Sequence, residues 1–233
     1  MVSNFAFTLY EIFGYLMPGS LAFAGFAVIY WALFVPDIPL GVAAFAPGIG
    51  TWVLVIAGGY ILGHAVQAVG NMILRQVEKN AIEMGNAPLL RKSALESASK
   101  LFGVDAKDME PRWAYRILDE YAVQKGQSGD RDMFIYREGF YRGTCIALFF
   151  LALSLILRSA ISGTSIQLWH WRMAVSAVEL VTTALLIGFL GWLFLRRYRR
   201  FAEYRVTRAV LSALVLLQFP KDGDETQESM REK

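Results

Sequence analysis

Asp, Glu, Lys and Arg are absent from residues 12–36, 38–74 and 143–157, and only Glu179 interrupts 173–195. A run of about 20 apolar residues matches the hydrocarbon core of a bilayer. These runs constrain the chain more than any other feature. Lipid offers no hydrogen bonds, so a spanning segment must satisfy its own backbone groups, and a helix does so within one segment. The expected class is an all-α integral membrane protein with four transmembrane helices, at about 12–35, 51–74, 143–161 and 173–195. The divisions that follow are a first helix pair (1–74), a helical insertion (75–142), a second helix pair (143–195), a basic juxtamembrane helix (196–220) and a polar tail (221–233) expected to be disordered. No signal peptide is expected, because the first apolar run has no basic stretch before it and exceeds the usual length.

Composition supports the class. Of 233 residues, 55% are hydrophobic and 18% charged, where soluble domains carry about 25% charge. A lone cysteine, Cys145, excludes an intrachain disulfide and a cysteine-rich zinc site. With only His64 and His170 as histidines, no metal or cofactor is expected. The net charge of +3 is too small to argue for nucleic acid, and basic residues find a better explanation in topology.

Segment 75–142 holds 12 Lys and Arg and segment 196–233 holds 9, whereas 158–172 holds 2 and 35–50 none. Positively charged loops stay in the cytoplasm. Both termini and the 75–142 segment are therefore expected there, in what reads as a bacterial inner membrane. Trp31, Trp52, Trp169 and Trp171 fall near the opposite ends of the spans, as interfacial anchors do. Arg196, Arg197, Arg199 and Arg200 follow the fourth span directly and are read as contacts for anionic lipid headgroups, or as a plain stop-transfer signal.

Within 75–142, 12 basic and 11 acidic residues describe a solvated helix surface. The second span is expected to continue as helix to Met84, before Gly85-Asn86-Ala87-Pro88. A helix over Leu89–Phe102 should stop at Gly103, and another should start at Pro111 and break at Gln127-Ser128-Gly129-Asp130. The uncharged run Ala209–Pro220 is too short to span and is expected to pack on the insertion, the membrane surface or another protomer.

Several polar residues fall inside spans, where they are costly against lipid. His64, Gln67 and Asn71 recur at i, i+3 and i+7 and share a helix face. That face is expected to meet protein or water, either as interhelical hydrogen bonds or as a conduction path. Gly59, Gly63 and Gly70 mark a close helix contact, read as self-association. Glu179 and Arg158 are expected to form an intramembrane ion pair near the outer ends of their spans. Glu11 opens the first span, with Gly14 and Pro18 after it, and Arg75 and Arg142 lie at the same level as candidate partners. Pro18-Gly19 should kink the helix.

No HExxH, GxSxG, P-loop or GxGxxG signature is present, and no enzyme activity is expected. The leading expectation is a homo-oligomer that conducts across or perturbs the membrane under cytoplasmic control. The competing one is a non-catalytic anchor or scaffold that recruits a soluble cytoplasmic protein. An intramembrane enzyme is the third.

Overall fold

The computed structural model describes residues 12–34, 40–41, 49–84, 87–126, 128–161, 165–168, 171–174 and 176–219. Glu11, Trp169, His170 and the 221–233 tail lie outside the described residues. A π-helical turn, Ile12–Leu16, leads into α1 (Met17–Phe34). The other helices are α2 (Ile49–Ile73), α3 (Arg75–Ile82), α4 (Pro88–Phe102), α5 (Pro111–Gln124), α6 (Ser128–Ile161) and α7 (Ala177–Gln218). Among the described residues, three helical stretches are long and apolar enough to cross a membrane: Ile12–Phe34, Arg137–Ile161 and Ala177–Gln218. The chain is thus a helical, multi-pass membrane protein.

It divides into two compact units. The first takes Met1–Arg75 and Tyr136–Tyr198, the second Gln76–Ile135 and Arg199–Lys233.

In the first unit, glycine sets how closely α1 and α2 approach. A Cβ on Gly19 would fall on the backbone carbonyl of Gly59, and one on Gly63 would fall on the carbonyl of Tyr15. Gly70 packs on the Arg142 side chain, whose Cγ would lie 3.0 Å from an added Cβ. Gly59, Gly63 and Gly70 therefore serve contacts inside one protomer. Within the protomer their face meets α1, the π-helical turn and α6. From α6, Ala147 joins Ala22 and Val66, while Ala152 and Leu155 meet Val28, Leu180 and Ala184.

Three short strands, β1 (Leu40–Gly41), β2 (Ser165–Leu168) and β3 (Trp171–Ala174), form a small sheet in that order. β1 runs parallel to β2 with Leu40 opposite Ile166, and β2 runs antiparallel to β3 with Leu168 opposite Trp171. Residues 173 and 174, expected to open the fourth span, belong to β3 instead. Helix α7 starts later because its cap is Ser176. The Ser176 hydroxyl accepts from the Glu179 N–H at 3.2 Å, and Glu179 Oε2 accepts from the Ser176 N–H at 2.7 Å and its hydroxyl at 3.0 Å. This reciprocal arrangement is a capping box, which fixes a helix start.

The second unit packs around small and aliphatic side chains. Ala94, Ala98, Ala114, Leu118, Ala202, Val206, Val210 and Ala213 are buried together. Alternation of these positions at helical spacing places α4, α5 and the end of α7 around one core. Helix α4 ends as expected: Gly103 takes φ 71° and its N–H donates to the Ser99 carbonyl. Helix α5 starts at Pro111 as expected. Two boundaries differ. Leu74 is a turn between α2 and α3, so the second span does not run unbroken to Met84, which itself takes φ 50°. Gly126, at φ 83°, supplies the break after α5, and Ser128-Gly129-Asp130 open α6 rather than interrupting a helix. The run from Ala209 is no separate helix but the last part of α7.

Candidate functional site

In the first unit, Gly14, Gly139 and Arg142 converge on Gln67. The cause begins at Pro18, which has no N–H and so leaves the carbonyl four residues back, that of Gly14, without its usual helical donor. Gly14 lies in the π-helical turn and is buried, as is Pro18. From α2, Gln67 Nε2 donates to this carbonyl at 2.7 Å. The same nitrogen donates to the Gly139 carbonyl of α6, also at 2.7 Å. A primary amide has two N–H groups, and both are thereby used. Gln67 Oε1 accepts from Arg142 Nε at 3.1 Å. One buried carboxamide thus ties the π-turn, α2 and α6 together.

Glycine at 143 makes room for it. A Cβ there would lie 2.6 Å from Gln67 Nε2 and 3.1 Å from Pro18 Cγ. Behind the clamp, Arg142 Nη1 stands 3.9 Å from Glu138 Oε1, one helical turn earlier on α6. Glu138 is only 4% exposed, so this is a buried charge pair and not a surface one. Pairing is what makes burial of both charges tolerable. Arg142 is expected at this level as an interfacial charge with Glu11 as a candidate partner; the polar partners of its side chain among the described residues are Glu138 and Gln67.

The expected face of α2 divides. Gln67 is buried, whereas His64 and Asn71 are exposed. The His64 ring stacks on Tyr15 with centroids 4.1 Å apart and meets the Tyr60 ring edge-on at 4.8 Å. The expected Arg158–Glu179 pair is corrected. Among the described residues no ion pair joins them: Glu179 is exposed and closes the capping box, while Arg158 is fully buried in the first unit. An acid three residues into a helix gains more from the free N–H groups at its start than from a distant cation. Arg75 is exposed. Arg196, Arg197, Arg199 and Arg200 are all exposed along α7, and the Arg196 guanidinium sits 5.8 Å over the Trp192 ring.

Chemically, the cluster is a set of hydrogen bonds that join helices. Cys145 is buried with its thiol donating to the Arg142 carbonyl at 3.1 Å. Among the described residues, no group of three His, Cys, Asp or Glu could hold a metal ion. Three contributors are not singled out by the sequence reading: Glu138, Gly139 and Gly143. Two signals point to them. Gly139 and Gly143 form a GxxxG pair, and Glu138 precedes Arg142 by four residues, the favourable order for an intrahelical ion pair.

Comparison with known protein families, curated proteins and solved structures returns no match.

Proposed function

We propose that the chain is an oligomeric inner-membrane protein of the bacterial type that conducts across or perturbs the membrane under cytoplasmic control, without enzyme activity. The proposed topology has four spans, α2 being the second in chain order and joining the three above. Helix α2 has 25 residues and no charged side chain, and about 20 suffice to cross. Pairing of β1 with β2 supports one common side for the two short connections. Of 23 basic residues, 21 fall in 75–142 and 196–233, which supports a cytoplasmic location for those segments and both termini. The exposed arginines at 196, 197, 199 and 200 would then meet anionic headgroups.

The observation that carries the functional reading is the Gln67 clamp. A hydrogen-bonded carboxamide that holds a π-turn against two helices is a latch with two states, made or broken. Arg142 and Glu138, which support it, lie on α6, a helix that begins at Ser128 without a loop between. A displacement of that helix end reaches the latch directly.

The test is ion flux from vesicles containing anionic lipid and the full chain, for wild type and Gln67→Leu. Leucine leaves the Gly14 carbonyl buried and unsatisfied, a penalty of about 1–3 kcal/mol on the closed state. Flux should rise by about tenfold, since 1.4 kcal/mol changes a two-state equilibrium by that factor. No flux from either protein would remove the conduction reading. The anchor reading would then stand, favoured by the apolar side chains that the second unit exposes at Leu89, Phe102 and Trp113. Co-purification of a soluble cytoplasmic partner through those residues would establish it.

A further inference from the structure

The geometry points to a second copy of this chain as the occupant of one exposed face of α2, formed by Ala57, Ile61, His64, Ala68 and Asn71. The inference rests on α2 crossing the membrane and on self-association, not on conduction.

All five residues are exposed on the protomer. Their spacing is four, three, four and three residues, the heptad pattern by which two helices interlock at a shallow crossing angle. The opposite face of α2, with Gly59, Gly63, Gln67 and Gly70, is already filled from within the chain. The Tyr15 and Tyr60 rings touch His64 from within the chain but leave it and the other four residues exposed, so what completes the cover of this face comes from elsewhere.

His64 decides which occupant fits. It lies three residues from Ile61, the middle of the 25-residue helix, or about 4.5 Å along the axis. Acyl chains at that depth neither donate nor accept hydrogen bonds. A soluble partner does not reach it. A neutral imidazole carries one donor and one acceptor, and a carboxamide carries both, so each is complementary to its own copy. A two-fold axis along the membrane normal sets residue i opposite residue i, bringing His64 to His64 and Asn71 to Asn71. Ala57 and Ala68 allow the backbones to approach, and Ile61 fills the space between. Asn71 lies two residues from the end of α2, so it fixes register near the interface while His64 supplies the penalty against lipid.

The experiment is disulfide crosslinking of the full chain in lipid vesicles, in a Cys145→Ser background that leaves no native thiol. Ala57→Cys, Ile61→Cys and Ala68→Cys should each give a band of twice the chain mass. Ile56→Cys and Ile73→Cys should not, although those residues are 54% and 64% exposed, because they are turned away from the seam. Crosslinking as strong at 56 and 73 as on the seam, no crosslinking at 57, 61 and 68, or a product of any other mass overturns the inference. His64→Leu should weaken dimerisation by about threefold, the average for one hydrogen bond between membrane helices. Ala68→Trp, at an exposed site, should abolish the dimer while the protomer keeps its helix content. A dimer that survives Ala68→Trp also overturns it. Seam crosslinking with no ion flux would retain this interface and reject only the conduction reading.

Discussion

The two units bury opposite kinds of side chain in structures built alike from helices. In the first, the buried set includes Gln67, Glu138, Thr144, Ser154 and Arg158, while Phe26, Leu185, Leu186 and Phe189 are exposed. In the second, alanine, leucine and valine fill the interior, and of the strongly buried polar residues described only Asp119 belongs to it. A water-soluble domain keeps polar groups outside because water satisfies them at no cost. In lipid the balance reverses. Apolar side chains are at home on the surface, and polar ones must find partners within the protein. The contrast distinguishes the two units more sharply than hydropathy alone, since α7 belongs to both.

The comparison breaks most visibly at Leu118, which is completely buried in the second unit. Leu118→Ala should destabilise that unit by about 2–5 kcal/mol, through lost transfer energy and a residual cavity. Hydrogen exchange should accelerate in α4 and α5 and remain unchanged at Gly139–Leu155. A uniform acceleration would mean that the two units do not unfold separately.

The next effect is about 3 kcal/mol and concerns insertion. Leu185 is 65% exposed near the middle of the proposed fourth span. Leu185→Arg carries the cost of an arginine at the centre of a membrane helix, about 2.5–3.5 kcal/mol. Leu101→Arg, on the surface of the second unit, should stay within about 0.5 kcal/mol. Membrane-fraction yields report the difference. Equal tolerance of both substitutions would mean that the exposed face of α7 is not in lipid.

The smallest effect sharpens the reading of Glu179. Ser176→Ala removes the capping hydroxyl and should cost about 1 kcal/mol. Thermal unfolding of Ser176→Ala, Glu179→Ala and the double variant measures the coupling. Losses that simply add would indicate that the two residues do not act as one cap.

The sequence carried the helical class, the ends of α4 and the start of α5, because each follows from local signals: periodicity, a glycine stop, a proline start. Gln67 was legible as a polar residue needing shelter, but its partners were not. The Gly14 carbonyl is free only because Pro18 stands four residues on, and meeting Gln67 depends on how α1 and α2 pack. Glu179 shows a signal overlooked in favour of a more elaborate one. Ser176-x-x-Glu179 before an apolar run is a capping box by pattern, and no long-range partner was needed. The strand pairs had no alternating pattern to betray them, since two to four residues are too few to show a period.

Helix α7 runs 42 residues without interruption, about 63 Å at 1.5 Å per residue. Where most proteins place a loop, this chain places a rod, and a rod counts its residues. Each residue added to or removed from a helix turns everything after it by about 100° and shifts it by about 1.5 Å. Along the last part of α7 the buried positions Ala202, Val206 and Val210 follow one another at intervals of four. Length variation, which connecting segments usually absorb during evolution, would here turn that inward stripe out of phase with itself. The stretch around 202–210 should therefore accept changes of side chain far more readily than changes of length.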